Sequence, residues 1–228
     1  MFAGKRFLGL IPARGGSVGL PGKHLLDLGG RPVLAWTARA ARGSALLDRA
    51  VLSTDNDAIA DAGREFGLEV PFRRPAHLAT ARATTGEVVE HALSTLGGDW
   101  DAVVVLQPTS PLRTAADIDA AIRIFADSGA PGCVSLTQVR QHPDWMYRLD
   151  EHLRVQPYAV GSPPGRRQDL DPIYALNGAI YVLPTSANFR ASFVVPGTRG
   201  YVMPAERSLD LDTEQDLRIL RALVEERR

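Results

Sequence analysis

Short apolar runs alternate with stretches of helical periodicity through most of the chain, and this alternation restricts the possible folds more than any other feature. Strands covered by helices on both faces read as near-continuous apolar runs and belong to mainly parallel sheets. The spacing predicts strands at residues 7–11, 50–53, 102–106, 133–137, 177–182 and 201–203. It predicts helices at 32–41, 57–66, 84–96, 115–125 and 213–224. Two of these open on pairs with capping spacing, Thr84 with Glu87 and Thr114 with Asp117. In the first helix Val33, Leu34 and Thr37 are expected to face inward. A chain of 228 residues suits one such α/β domain, 1–228.

The pattern loosens between residues 139 and 176, where Pro143, Trp145, Tyr147, Pro157, Tyr158, Pro163 and Pro164 interrupt it. That length is too great for an idle connector. It is expected to be a β-rich excursion inserted in the domain. A formal net charge of zero argues against broad nucleic-acid binding, which requires a basic surplus. Cys133 is the single cysteine, so neither an intrachain disulfide nor a cysteine zinc cluster can form. The apolar run behind Lys5 and Arg6 stops at Pro12, too short for a signal segment, and no run is long enough to span a bilayer. The cytoplasm is the expected location.

The first strand runs directly into Ile11-Pro12-Ala13-Arg14-Gly15-Gly16-Ser17-Val18-Gly19-Leu20-Pro21-Gly22-Lys23. Glycines allow backbone amides to approach an anion closely, and Arg14 and Lys23 bracket them with a forked cation and a point charge. The loop is therefore expected to hold a polyphosphate through Arg14, Gly15, Gly16, Ser17 and Lys23, with His24 beside it. It is not a Walker A loop: Ser17 stands at the first glycine position and His24 at the magnesium hydroxyl. Pro21 and the absence of an immediate helix also exclude a dinucleotide fingerprint. Near the other end, Asp210 and Asp212 are one residue apart in extended chain, which turns both carboxylates to one side. The pair suits a hard divalent cation shared with phosphate oxygens; the other reading is that Asp212 or Thr213 caps the last helix. Gln107 follows the central strand at its carboxyl end, where open α/β sheets bind ligands.

Together with Ser53-Thr54-Asp55, Arg74-Pro75-Ala76, Gln107-Pro108-Thr109-Ser110-Pro111-Leu112-Arg113, Asn177-Gly178-Ala179-Ile180-Tyr181 and Asp210-Leu211-Asp212-Thr213, this loop resembles the acylneuraminate cytidylyltransferases, the CMP-sialic acid synthetase family, over nearly the whole chain. The resemblance implies a Rossmann-like nucleotidyltransferase fold, a homodimer built on the 139–176 excursion, magnesium, and CTP as donor. It implies that Arg74, Ala83 and Thr85 meet the base or ribose, and that Asp210 and Asp212 hold magnesium. Gln107, Arg167, Gln168, Asn177 and Tyr181 would meet the acceptor, with Arg167 on its carboxylate. The expected reaction joins CTP and a 2-keto sugar acid into a CMP-sugar acid and pyrophosphate, with Lys23, Arg14 and Asp212 as the catalytic groups.

Three positions depart from the family pattern. Val18 stands where many relatives carry lysine, His24 replaces an asparagine, and Ala175 replaces an arginine. They leave the acceptor open between a sialic-type acid, a relative such as legionaminate, and another sugar acid. GTP in place of CTP, and a nucleotide-binding regulatory module without turnover, are the competing readings.

Overall fold

The computed structural model describes residues 1–17, 19–159, 166 and 170–226. The elements, in chain order, are β1 (Phe7–Pro12), α1 (Val33–Gly43), β2 (Arg49–Ser53), α2 (Asp57–Glu65), α3 (Thr85–Leu96), β3 (Ala102–Leu106), α4 (Ala115–Ser128), β4 (Cys133–Gln138), β5 (Tyr147–Leu149), β6 (Val155–Pro157), β7 (Tyr174–Pro184), β8 (Arg199–Val202) and α5 (Glu214–Glu225). Among the described residues six strands form one sheet in the order β2-β1-β3-β7-β4-β8. The pairs β1/β2, β1/β3 and β4/β8 are parallel, whereas β7 runs antiparallel to both its neighbours. The expected mainly parallel sheet flanked by helices is thus present, with one strand reversed. No described helix is long and apolar enough to cross a membrane.

Every residue of β3 is buried, as its Ala-Val-Val-Val-Leu run requires. One face of the sheet packs on α1 and α4 through residues such as Leu34, Ile118 and Ile122; the other packs on α3 through Val89 and Ala92. A third cluster gathers Leu20 and Leu28 from the first loop with Leu211, Leu217, Leu220 and Val224. Burying each such side chain contributes roughly 1.5–3 kcal/mol. This cluster matters for function, because it draws the glycine-rich loop and the Asp210–Asp212 segment against one another across almost the whole sequence.

Three helices open on threonine capping boxes: Thr84 with Glu87, Thr114 with Asp117, and Thr213 with Asp216. Each cap is worth about 1 kcal/mol. Asp117 does more than close its cap, since it also accepts hydrogen bonds from the Tyr201 hydroxyl at 2.7 Å and from Arg207 at 2.7 and 3.0 Å. Its carboxyl is held down at about 2. Burial works against that, and the Arg207, Thr114 and Tyr201 hydrogen bonds outweigh it.

β7 begins at Tyr174, three residues before the predicted start, because Tyr174, Ala175 and Leu176 are exposed and carry no buried run. The excursion contributes a separate antiparallel hairpin of β5 and β6, pairing Leu149 with Val155. All six hairpin residues are exposed.

Candidate active site

A cleft of about 450 Å³ opens where β1 and β3 end, lined among others by Arg14, Lys23, His24, Arg74, Gln107, Asp210 and Asp212. This is the carboxyl edge of the sheet, the place where open α/β folds bind ligands.

The loop after β1 delivers its charges through backbone geometry. Gly22 lies at φ +64° and opens the short 3-10 turn at Lys23–Leu25, a conformation that suits glycine. Lys23 Nζ then donates to Asp212 Oδ1 at 3.0 Å and to the Leu211 carbonyl at 3.2 Å. Gly19 lies so close to this segment that a Cβ there would stand 2.9 Å from the Asp212 carbonyl oxygen. The loop and the acid pair are therefore in contact, and Lys23 shares one cleft with both aspartates. Ser17 lines the cleft. Gly15 N instead donates to Asp55 Oδ1 at 3.0 Å, so in this state its amide holds the loop to the turn after β2, and it is not aimed at a ligand. Among the described residues, apart from its chain neighbours, no atom lies within 4 Å of where a Gly16 side chain would begin. Val18 lies outside the described residues.

The opposite wall carries a buried cation. Arg74 donates from Nε to Ser53 Oγ at 3.0 Å and from its guanidinium to the Ser53 carbonyl at 2.6 Å, which anchors it at the end of β2. Burial pulls its pKa down to about 10, so it remains charged at neutral pH. His24 is 4% exposed and its Nδ1 has no partner among the described residues. Burial, followed by Lys23, Arg74 and Arg14, lowers its pKa to about 4 and keeps the imidazole neutral. Arg14 donates to the Thr80 carbonyl at 2.5 Å, and Thr80 Oγ1 accepts from Ala83 N at 3.2 Å. That chain of bonds ties the glycine-rich loop to Ala83 and Thr85, which line the cleft at the start of α3.

At the acid pair the cap and the carboxylates have separate tasks. Thr213 caps α5, while Asp212 directs its side chain to Lys23. Asp210 Oδ1 is buried without a hydrogen-bond partner among the described residues. Burial, and secondarily the neighbouring Asp212, raises the Asp210 pKa, against contributions from Thr109, Lys23 and the Leu211 amide. A buried carboxylate oxygen with no donor is costly unless a cation meets it. No group of three or more metal-ligating side chains occurs among the described residues, but a two-carboxylate set completed by phosphate oxygens is how magnesium is commonly held.

A second cleft of about 310 Å³ adjoins the first; Thr84, Thr85 and Gln107 line both. Its far wall is aromatic: Tyr181 meets Phe193 edge-on at 5.4 Å, and Phe189 lies beside them. Burial, then the charge of Asp210, raises the Tyr181 pKa. Asn177 is not at this wall. Its Nδ2 donates to Ser208 Oγ at 3.0 Å, and its Oδ1 accepts from Ser135 Oγ at 2.6 Å and Ala179 N at 3.2 Å, which makes it an internal brace between β4 and β7. Arg167 and Gln168 lie outside the described residues.

Sequence reasoning missed three contributors. Gly178 sits in β7 at φ +74°, and a Cβ there would come within 3.5 Å of Gln107 Oε1 and 3.8 Å of Asp210 Oδ2. A glycine inside a strand is a recognised sign of close approach. Thr80 carried no signal. Arg113, fully buried, donates to the Gln107 and Ala179 carbonyls at 3.2 and 2.8 Å and to Thr37 Oγ1 at 2.8 Å, and so fixes the turn that presents Gln107.

A family model described as cytidylyltransferase matches residues 8–156. The chain belongs to the cytidylyltransferase family. It is 37% identical over 212 residues to an N-acylneuraminate cytidylyltransferase of Streptococcus agalactiae serotype V, covering 91% of this chain and 50% of that protein. It therefore spans about half the length of that relative. It is 33% identical over 234 residues to a CMP-N,N'-diacetyllegionaminic acid synthase of Legionella pneumophila, covering 96% and 97% of the two chains. The fold matches a solved CMP:2-keto-3-deoxy-manno-octonic acid synthetase in complex with CTP, with a TM-score of 0.74 at 18% identity, over 98% of this chain and 100% of that one. The fold of that synthetase is thus shared over 98% of this chain.

Proposed function

We propose that this family member is a nucleotidyltransferase that converts CTP and an acyl-bearing nonulosonic acid to the CMP-sugar acid and pyrophosphate. The observation that carries the reading is the shared cleft, with Lys23 Nζ 3.0 Å from Asp212 Oδ1 and the unpartnered Oδ1 of Asp210 beside the same segment. The names of the two relatives supply the substrate class: both are enzymes of acylated sugar acids. The aromatic wall of Tyr181, Phe189 and Phe193 offers an apolar surface suited to an acyl group.

In the proposed reaction the anomeric hydroxyl of the sugar acid attacks the α-phosphorus of CTP. The new oxygen–phosphorus bond forms as the bond to pyrophosphate breaks, and Asp212, which lines the cleft, would accept the hydroxyl proton. Arg14 and Lys23 offset the charge that develops on the phosphate oxygens and the leaving group. Arg74, Ala83 and Thr85 hold the nucleoside end, and the neutral His24 lines that end without adding charge. Gln107, at the junction of the two clefts, orients the acceptor. Asp210 and Asp212 would hold magnesium, which supplies neutralisation of the triphosphate when bound.

The same proposal includes a homodimer formed through the β5–β6 hairpin. Leu149, Leu153, Val155, Tyr158 and Leu176 are each more than half exposed, a density of bare apolar surface that marks association sites. Light scattering is expected to give a dimer, with Leu149→Asp combined with Val155→Asp giving a monomer. A monomeric parent protein contradicts it. A nucleoside triphosphate donor is drawn from the cytoplasmic pool, and the lone Cys133, whose thiol burial pushes up to about 12, is inert there.

Pyrophosphate release, measured with each nucleoside triphosphate against a panel of sugar acids, tests the reaction. Turnover is expected with CTP and an acylated nonulosonic acid. Equal turnover with GTP removes the assignment of the base, and nucleotide binding without turnover under every pairing supports a regulatory module instead.

A further inference from the structure

The partition between the two clefts rests on a glycine that the reaction itself does not require. Gly86 is buried in the first turn of α3, where glycine weakens a helix relative to alanine. Its backbone is not in the left-handed region, so conformation does not explain the choice. Space does: a Cβ at this position would stand 1.7 Å from the carbonyl oxygen of Phe189 and 2.6 Å from its carbonyl carbon. The chain that follows β7 is pressed directly onto the helix backbone here. Phe189 cannot easily retreat, because its ring is buried in the core with Val89 and Ala92 of the same helix. One helical turn further along that face, Glu90 accepts from Arg190 Nε at 2.9 Å, giving the segment a second hold.

Both sides of this contact lead to a substrate. On the helix side, Thr84 and Thr85 line the nucleotide cleft immediately before Gly86. On the other side, residues just after Phe189 form the aromatic wall, where Phe193 meets Tyr181. We propose that Gly86 is a positioning residue that sets the distance between the acceptor wall and the nucleotide, and so places the attacking hydroxyl relative to the α-phosphorus. The inference rests on reading the second cleft as the acceptor's. Shifts of about 1 Å in such an alignment cost on the order of 10²-fold in rate.

The test compares Gly86→Ala and Glu90→Gln with the parent protein, using calorimetry for CTP affinity, pyrophosphate release for acceptor KM and kcat, and thermal unfolding to establish that each variant is folded. In Gly86→Ala the 185–194 segment must move outward, so acceptor KM is expected to rise roughly 10-fold or more, with a fall in kcat, while CTP Kd stays within about 3-fold. Glu90→Gln loosens one exposed hold and is expected to raise acceptor KM about 3-fold without altering CTP Kd. A folded Gly86→Ala with unchanged acceptor KM and kcat, or one in which CTP Kd and acceptor KM worsen in parallel, overturns the inference. If Gly86→Ala does not fold, Glu90→Gln decides alone: a selective acceptor effect supports the inference and an unchanged KM overturns it. A parent protein inert with every sugar acid fails differently, removing the reading of the second cleft itself.

Discussion

The two clefts meet at Gln107 yet are built from opposite materials. The proposed nucleotide side is a set of cations, each held by a short-range bond to the framework: Arg74 by Ser53, Arg14 by the Thr80 carbonyl, Lys23 by Asp212 and the Leu211 carbonyl. The proposed acceptor side consists of aromatic and aliphatic faces on β7 and the chain behind it, fastened to α3 by a backbone contact at Gly86 and an exposed pair at Glu90. Fixed charge suits a polyphosphate, and at Arg74 it leaves little room for change, because moving that buried cation leaves the buried Ser53 without its partner. Apolar contact can be remodelled by exchanging one ring for another at modest cost. Under the proposed function, the donor cleft is the rigid half of the specificity and the acceptor cleft the adjustable half.

The contrast is sharpest at Lys23. Lys23→Ala is expected to lower kcat in the pyrophosphate-release assay by roughly 10²–10³-fold, the usual loss when one preorganised charge is removed from a transition state. A variant with near-parental turnover would break the assignment of the charged half. Phe193→Ala should act on the other half only: acceptor KM is expected to rise about 10-fold, with CTP Kd unchanged by calorimetry. An equal loss of CTP binding would show that the two clefts are not separable in this way.

Outside both cleft linings, Asp117 joins the start of α4 to Tyr201 and Arg207. Its pKa is lowered to about 2 in the fold, below the ordinary carboxylate value, so between those limits the unfolded chain binds the extra proton. Its contribution of about 2 kcal/mol is complete above about pH 4 and is lost as the pH falls toward 2. Asp117→Asn is therefore expected to lose that stability at pH 7 and to flatten the acid limb of a urea-unfolding series. Parental stability at pH 7 would show that the Arg207 and Tyr201 contacts contribute nothing net. The smallest effect is expected from Arg190→Gln, which severs the exposed pair to Glu90 and should raise acceptor KM only two- to fourfold.

The same division marks what could be read in the sequence. Thr84 and Thr114 stand at the capping positions their spacing implied, because a capping box is local chemistry written in four residues, and of the two candidate caps of the last helix Thr213 is the one used. Lys23 and the two aspartates carry their meaning in residue type, and the Leu20–Leu211 cluster that joins them is ordinary apolar packing. Direction of a strand has no such local sign, so the reversal of β7 was invisible. The three exposed residues that open it, and the wholly exposed β5–β6 hairpin, lack the buried run by which strands are found. Gly15 and Asn177 show the converse limit: residue type suggested ligand contact, but long-range bonds to Asp55 and to Ser135 and Ser208 engage them within the framework. The 185–194 segment, irregular and carrying no motif, gave no indication that residues 189–194 line the second cleft.

The central claim is that the loop after β1 and the distal aspartates act on one ligand. Its most direct test is CTP affinity measured by calorimetry as magnesium is raised from zero, in the parent protein and in Asp210→Asn. The account predicts that magnesium tightens CTP binding to the parent by an order of magnitude or more and has little effect on the variant. An identical magnesium dependence in both proteins would contradict it.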